Sequence, residues 1–287
     1  MIVVTGATGK IGKELVRQLA ARGAAVRALS RHTERGEEMP GVEWVAADLA
    51  QREHLVSAFA GAERLFLLTA NSEDMVRLQK NALEAARRAG VRHVVKLSAL
   101  GASEHSLSVI GLWHYNIERL MRESGLAWTL LRPHHFMDNL LDQRENILRE
   151  GVVYSAAGEG RIPFIDTRDI AAVAAAALTG PGHEGKVYTL TGPEALSYRQ
   201  ATEILSRVLG RSLTYVAETE DETWGRQRHA GEPAWRISAL LAIAAYQRAG
   251  GATEQVTTTV EELIGRPPRS FEQFARDHAA ELAPERF

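Results

Sequence analysis

Ile2-Val3-Val4-Thr5-Gly6-Ala7-Thr8-Gly9-Lys10-Ile11-Gly12 opens the chain, and its reading decides the fold. A short β-branched run reaches a glycine loop, and an amphipathic segment follows. Ile2 to Val4 read as a strand buried on both faces. Gly6, Gly9 and Gly12 then fall at three-residue spacing. Gly6 permits a sharp turn out of the strand. Gly9 lets the backbone approach a pyrophosphate, and Gly12 lets the helix pack close to the strand. Ile11, Leu15, Val16 and Leu19 share one helical face and can cover a sheet. The helix N-terminus points unpaired N–H groups and partial positive charge at an anion. The plain alternative is an ordinary strand-to-helix turn. The position between a strand and a helix is the context that favours dinucleotide binding.

Working outward, Ala24 to Leu29 read as a second strand, followed by Ser30-Arg31-His32. An acidic residue at this place would hold a ribose 2′-hydroxyl. The chain has Arg31 instead, and a guanidinium suits a 2′-phosphate, the alternative being a solvated arginine. NADP(H) is therefore the expected cofactor. Val42 to Ala46 form a third strand, with Asp48-Leu49 after it. Asp48 either accepts from an adenine amino group or caps the helix beginning near Gln51. Arg64 to Leu68 give a fourth strand ending at Thr69-Ala70-Asn71, and a helix over Asp74 to Ala89 stops at Gly90. Val91 to Leu97 make a fifth strand ending in Ser98, and a helix over Val109 to Ser124 leads to a strand at Trp128 to Leu131 and then Arg132-Pro133.

Strands alternate with helices through this half. That pattern implies an α/β fold, a doubly wound parallel (Rossmann) sheet, with ligand at the carboxyl ends of its strands. The glycine loop, Arg31, Asp48, Thr69 and Ser98 all fall at such ends.

The pattern loosens after Pro133. His134-His135-Phe136-Met137 lead into a helix near Asp138 to Arg149. Val152 to Ser155, Arg161 to Ile165 and Leu213 to Val216 read as short strands. Thr167 to Leu178 read as a helix capped by Thr167, and Lys186 to Leu190 as a strand that rejoins the sheet. Ser197 caps a helix that Gly210 stops, and Trp224, Trp235, Leu240, Leu241 and Tyr246 lie in helical country. The expected organisation is a Rossmann domain over residues 1–132, to which 166–192 return. A smaller α-rich, C-terminal substrate lobe over 133–165 and 193–287 would cover the cofactor.

The 287 residues carry a formal net charge of -2 and no cysteine. Neither nucleic acid nor an anionic membrane is favoured as a partner by that charge. Thiolate catalysis, disulfides and cysteine zinc sites are excluded, and no ligand set at metal spacing stands out. No charged leader precedes the first apolar run, so a cytoplasmic protein, monomer or homodimer, acting on a small molecule is expected.

The chain resembles the atypical short-chain dehydrogenase/reductases of the NmrA-like group, which includes NADPH-dependent quinone and triphenylmethane reductases. The matching residues are the glycine loop, Arg31, Asp48, Asn81, Lys96-Leu97-Ser98-Ala99, His114, Glu118, Leu131-Arg132-Pro133, Asp166 to Ala171 and Gly265-Arg266-Pro267-Pro268. Cofactor contacts are expected from Gly6, Thr8, Gly9, Lys10, Ile11, Gly12, Arg31, Asp48, Leu49, Thr69, Ala70, Ser98 and Pro133. The wider superfamily uses Tyr-x-x-x-Lys, a phenol acid assisted by an ammonium one helical turn away. This chain has no such motif: alignment through Glu118 puts Ile110 at the Tyr position and His114 at the Lys position. His114, Asn81 and Ser98 are the resulting catalytic candidates. His114, with an ordinary pKa, would bond a ribose hydroxyl or a substrate oxygen and act near neutral pH, or else serve as a structural polar group beneath the cofactor. The resemblance implies that one of His134 and His135 faces the nicotinamide through its backbone, the other being a surface or packing residue. Trp113, Phe136, Met137 and Trp224 are candidates for an apolar substrate wall, or for core.

A site without the phenol suits an acceptor that spreads the arriving charge. A quinone or conjugated cation does so, whereas an alkoxide demands a positioned proton donor. The expected activity is NADPH-dependent reduction of a quinone-like or conjugated molecule. The alternatives are a non-catalytic redox sensor of the NmrA type and, beyond that, an isomerase or ether-cleaving reductase of the same superfamily.

Overall fold

A computed structural model describes residues 1–283; the last four residues of the expected C-terminal lobe, 284–287, lie outside the described residues. In chain order the elements are β1 (Ile2–Val4), α1 (Lys10–Ala21), β2 (Val26–Ser30), β3 (Val42–Ala46), α2 (Arg52–Ala58), β4 (Arg64–Leu67), α3 (Met75–Arg88), β5 (His93–Leu97), α4 (Val109–Glu123) and β6 (Ala127–Pro133). There follow α5 (Arg144–Arg149), β7 (Val152–Ser155), α6 (Thr167–Thr179), β8 (Lys186–Leu190), α7 (Tyr198–Leu209) and β9 (Thr214–Ala217). The chain ends with α8 (Glu220–His229), α9 (Ala234–Ala249), α10 (Thr259–Ile264), α11 (Phe271–Asp277) and α12 (Ala279–Leu282).

Seven strands form one sheet in the order β3-β2-β1-β4-β5-β6-β8. The pairings from β3 across to β6 are all parallel. This is the doubly wound Rossmann arrangement that the alternating elements imply. Both faces of the central strands are covered, which explains the unbroken apolar run of β1. Val3, Leu65, Leu67, Val94 and Leu130 share a core with Leu55 and Phe59 at α2, Leu83 and Ala86 of α3 and Met121 of α4. Their neighbours Val4, Phe66, Val95 and Leu131 point the other way and are also fully buried. α6 lies against β4, β5 and β6 and packs on α1.

The chain separates into two compact units. The first comprises Met1–Ser106, Ile110–Pro133 and Thr167–Thr189 and holds most of the sheet. The second comprises Leu107–Val109, His134–Asp166 and Leu190–Phe287. Within the second, β7 and β9 pair in parallel, and a core of Phe164, Tyr198, Leu205, Tyr215, Phe271 and Phe274 lies between α7, α11 and the strands. α7 begins with a full capping box, Ser197 Oγ taking the Gln200 N–H, and ends at Gly210 in the left-handed region, φ 63°.

Three local expectations are corrected. Arg161 to Ile165 is not a strand: Ile162 pairs with Leu196 in one direction while Ile165 pairs with His135 and Met137 in another. Pro163, lacking an N–H, separates the two. The helix expected near Asp138 to Arg149 is two pieces, a 3-10 stretch over Met137–Gln143 and then α5, with the Gln143 side chain tied to the Tyr154 backbone by bonds of 3.0 and 2.8 Å. Thr167 is the first residue of α6 rather than its cap.

Candidate functional site

In the first unit the ends of β3, β2, β1, β4, β5 and β6 lie in that order along one edge of the sheet. The strand order reverses between β1 and β4, and such a switch point is where open α/β sheets bind ligands. The glycine loop leaves β1 there. Thr5 anchors it: the backbone N–H donates to Phe66 O, and the hydroxyl accepts from Leu68 N–H at 2.9 Å while lying 2.9 Å from Leu68 O. Gly6 has φ 64°, and a Cβ there would stand 2.9 Å from Leu68 O. A Cβ at Gly12 would run into the carbonyl of Gly6. The two positions therefore need glycine for opposite reasons, conformation at one and close packing at the other.

Gly9 differs from both. A Cβ there would meet only Gly6 O, at 3.4 Å, and otherwise open space. Gly9 is the N-cap of α1 and offers no side-chain cap. The first-turn N–H groups of α1 sit at the positive end of the helix. Thr8 and Lys10 are exposed and Ile11 is buried. A cradle that a Cβ would fill, beside a helix N-terminus, fits the phosphates of a dinucleotide.

Arg31 stands exposed just past β2, and among the described residues no side chain or carbonyl pairs with it. Asp48, after β3, folds its own loop: Oδ1 accepts from Ala50 N–H at 2.9 Å. Leu49 is held from behind by Asn81, whose Nδ2 donates to Leu49 O at 2.9 Å. After β4, Thr69 Oγ1 accepts from Gln79 Nε2 at 2.9 Å, and Ala70 is exposed. At the end of β6 the Pro133 carbonyl accepts from Leu100 N–H at 3.1 Å. Gln79 was not singled out by sequence; its signal is an amide on the face of α3 that also carries Met75, Ala82, Leu83 and Ala86, and it is 0% exposed.

Two polar constellations lie between β5, α4 and β6. In the first, Ser98 Oγ donates to Glu118 Oε1 at 2.6 Å. Arg132 grips the same carboxylate in a two-pronged bond, Nε to Oε1 at 2.9 Å and Nη2 to Oε2 at 2.5 Å, and Arg122 adds a contact at 3.2 Å. Burial pushes the Glu118 carboxyl up, but Arg132 and Ser98 outweigh it and hold the group below its ordinary range. In the second, Lys96 Nζ lies 2.8 Å from His114 Nδ1 and donates to Leu97 O at 2.8 Å. Burial, then the Lys96 and Arg132 charges, drive the His114 pKa well below its ordinary value. His114 therefore stays neutral, which corrects the expectation of an ordinary, near-neutral titration. Glu118, Arg132 and Lys96 carried family motifs in the sequence without a role; the structure joins them across elements distant in the chain.

The paired histidines are internal to the second unit. His134 Nε2 donates to Thr253 O at 2.9 Å, and its Nδ1 accepts from His135 N–H at 2.7 Å. His135 Nε2 lies 2.9 Å from Tyr198 Oη and 3.1 Å from Asn139 Nδ2. Burial lowers their pKa values to about 4 and about 3. Of the candidate wall residues, Met137 is buried, Phe136 and Trp113 are half-buried, and Trp224 is 38% exposed.

A glycine loop at the switch point of a parallel sheet, followed by an unpaired arginine just past the adjacent strand, defines a Rossmann-type nucleotide-binding protein. Residues 1–225 match the family described as NmrA-like, and the chain belongs to that family. The resemblance read from the sequence is thereby borne out. An NAD(P)H azoreductase of Xenophilus azovorans is 39% identical over 285 residues, 98% of this chain and 98% of that protein. An NADPH-dependent quinone oxidoreductase of Escherichia coli, solved with NADPH, superposes with a TM-score of 0.86 at 27% identity, covering 96% of this chain and 99% of the other. A Citrobacter sp. triphenylmethane reductase solved with NADP(H) gives a TM-score of 0.84 at 27% identity, over 97% and 99% of the two chains. No helix among the described residues is long and apolar enough to cross a membrane.

Proposed function

We propose that this chain is an NADPH-dependent reductase that passes hydride to a quinone-like or otherwise conjugated small molecule. The observation that carries this reading lies on α4, where Ile110 takes the place of a phenol and the nearby ring, His114, is neutral. Such a site has no strong acid for an alkoxide, and it suits an acceptor whose reduced form is already a stable anion. The full-length likeness to reductases named for azo, quinone and triphenylmethane substrates supports the same substrate class.

In this reading the amides of the Gly6–Gly12 loop, with Thr8, Lys10 and Ile11, hold the pyrophosphate at the α1 N-terminus. Arg31 takes the 2′-phosphate through charge-assisted bonds. The loops of Asp48-Leu49 and Thr69-Ala70, braced by Asn81 and Gln79, flank the adenosine, and Ser98 and Pro133 border the nicotinamide end. The bound cofactor supplies the hydride. His114 offers the acceptor's oxygen or nitrogen a neutral hydrogen bond, and the Glu118–Arg132 pair keeps β5, α4 and β6 in register beneath it. Substrate choice we assign to residues 133–165 and 193–287.

The test is turnover: purified protein with NADPH and a panel of quinones, azo dyes and triphenylmethane dyes. The expected result is acceptor-stimulated NADPH oxidation with at least one of these classes. Tight NADPH binding with no acceptor-stimulated oxidation would replace the reductase by a nucleotide sensor.

A further inference from the structure

We propose that Lys96 is a positioning residue that locks His114 in the Nε2–H tautomer, so that the site presents a neutral N–H donor and selects ligands with an acceptor atom at that point. Lys96 is 0% exposed and lies on β5, on the sheet face that α3 and α4 cover. Lysine is almost never fully buried without a paired charge. Here no carboxylate reaches it: its partners are the Leu97 carbonyl and one imidazole nitrogen. A carbonyl only accepts, and an ammonium only donates. His114 Nδ1 must then be an acceptor, which places the ring proton on Nε2.

Nε2 itself has no hydrogen-bond partner among the described residues, and it is not sealed from solvent. The ring thus has one nitrogen spent inside the fold and one held out as N–H. A lone pair is the complement of that group: a quinone oxygen or an azo nitrogen. The ammonium beside the ring also opposes formation of imidazolium, and so bars His114 from acting as a cation. The charged groups facing Lys96 are Glu118 on α4 and Arg132 on β6, of opposite sign and already paired with each other. Burial lowers the Lys96 pKa to about 7, so the lock is set below neutrality and loosens above it. The tautomer follows from the Lys96–His114 contact with Lys96 as the ammonium. The identity of the acceptor atom rests on the reductase reading.

The experiment is nitrogen-15 NMR of histidine-labelled, ligand-free full-length protein, with the His114 signal assigned by its loss in His114→Gln. The expected spectrum shows the Nε2–H tautomer from about pH 5 to about pH 7 and a growing Nδ1–H share above that. Lys96→Met should give mixed tautomers at every pH and allow His114 to protonate at higher pH than in the wild type. Imidazolium or Nδ1–H in the wild type at about pH 6 overturns the proposal. So does a Lys96→Met spectrum whose His114 tautomer is unchanged. The wild-type spectrum decides the tautomer by itself, whatever the variant does to folding. With quinone, Lys96→Met should lower kcat about tenfold or more and leave KM for NADPH unchanged. Nε2–H without any quinone turnover would uphold the lock and overturn the reductase reading.

Discussion

Ser98 Oγ donates a hydrogen bond to Glu118 Oε1 across 2.6 Å, and that carboxylate is wholly buried. The hydroxyl is committed to the fold before any ligand arrives. Ser98→Ala is therefore expected to cost about 1.5–3 kcal/mol of stability, the scale of a hydrogen bond to a charged group. Its effect on turnover should stay below about tenfold, less than for an acid that moves a proton. Glu118→Gln should cost more, on the order of 3–5 kcal/mol, because Arg132 loses its counter-charge in a partly buried place. Urea melts and steady-state rates on the two variants check both statements.

Gly9 and Gly12 separate binding from folding. A Cβ at Gly12 meets the Gly6 carbonyl, so Gly12→Ala must push α1 off β1 and should destabilise the protein by roughly 3 kcal/mol or more, as overpacking does. A Cβ at Gly9 has room, so Gly9→Ala should melt within a degree or two of the wild type, a shift of a few tenths of a kcal/mol. The same methyl would stand where the pyrophosphate approaches, and NADPH affinity should fall about tenfold or more. Calorimetric titration and thermal melts on the pair supply the comparison.

These contrasts show what a sequence of this kind exposes. The glycine spacing and the β-branched runs are local signals, and they placed the sheet, its switch point and the residues along its edge. The capping box at Ser197 and the stop at Gly210 were equally local. What escaped was made by long-range pairing. Lys96 and His114 meet only because β5 and α4 pack together, and nothing in either segment announces that the ring will be neutral. Ser98 is a catalytic candidate by its place at the end of β5, and only the fold brings Glu118 to its hydroxyl. Arg161 to Ile165 reads as a short strand, yet the backbone there bonds to two different partners on either side of Pro163.

Arg31 should set cofactor preference. It is exposed and has no partner among the described residues, so its removal breaks nothing in the fold. Arg31→Ala should weaken NADPH by about 10–100-fold, one or two charge-assisted bonds, and leave NADH within about twofold. Equal losses for the two nucleotides would take Arg31 out of this role. Raising salt should weaken NADPH more in the wild type than in the variant, because the interaction removed is between exposed charges.

The second unit should be sensitive to acid through its histidines. The folded pKa of His134 is about 4 and that of His135 about 3, both lowered by burial, against an ordinary value near 6.5. The folded-state values are depressed, so the unfolded chain takes up these protons first as pH falls. The stabilisation is complete above about pH 6.5 and drains away down to the folded values, with a slope near 1.4 kcal/mol per pH unit for each histidine. His134→Gln keeps an N–H for Thr253 O and a carbonyl for the His135 N–H, and it cannot titrate. Urea melts between about pH 6 and pH 4.5 should therefore show the variant losing stability more slowly than the wild type by about one proton's worth of slope. Identical slopes would mean that the native protein already carries a charged His134 in this range, and the neutral ring bonded to Thr253 would have to be given up.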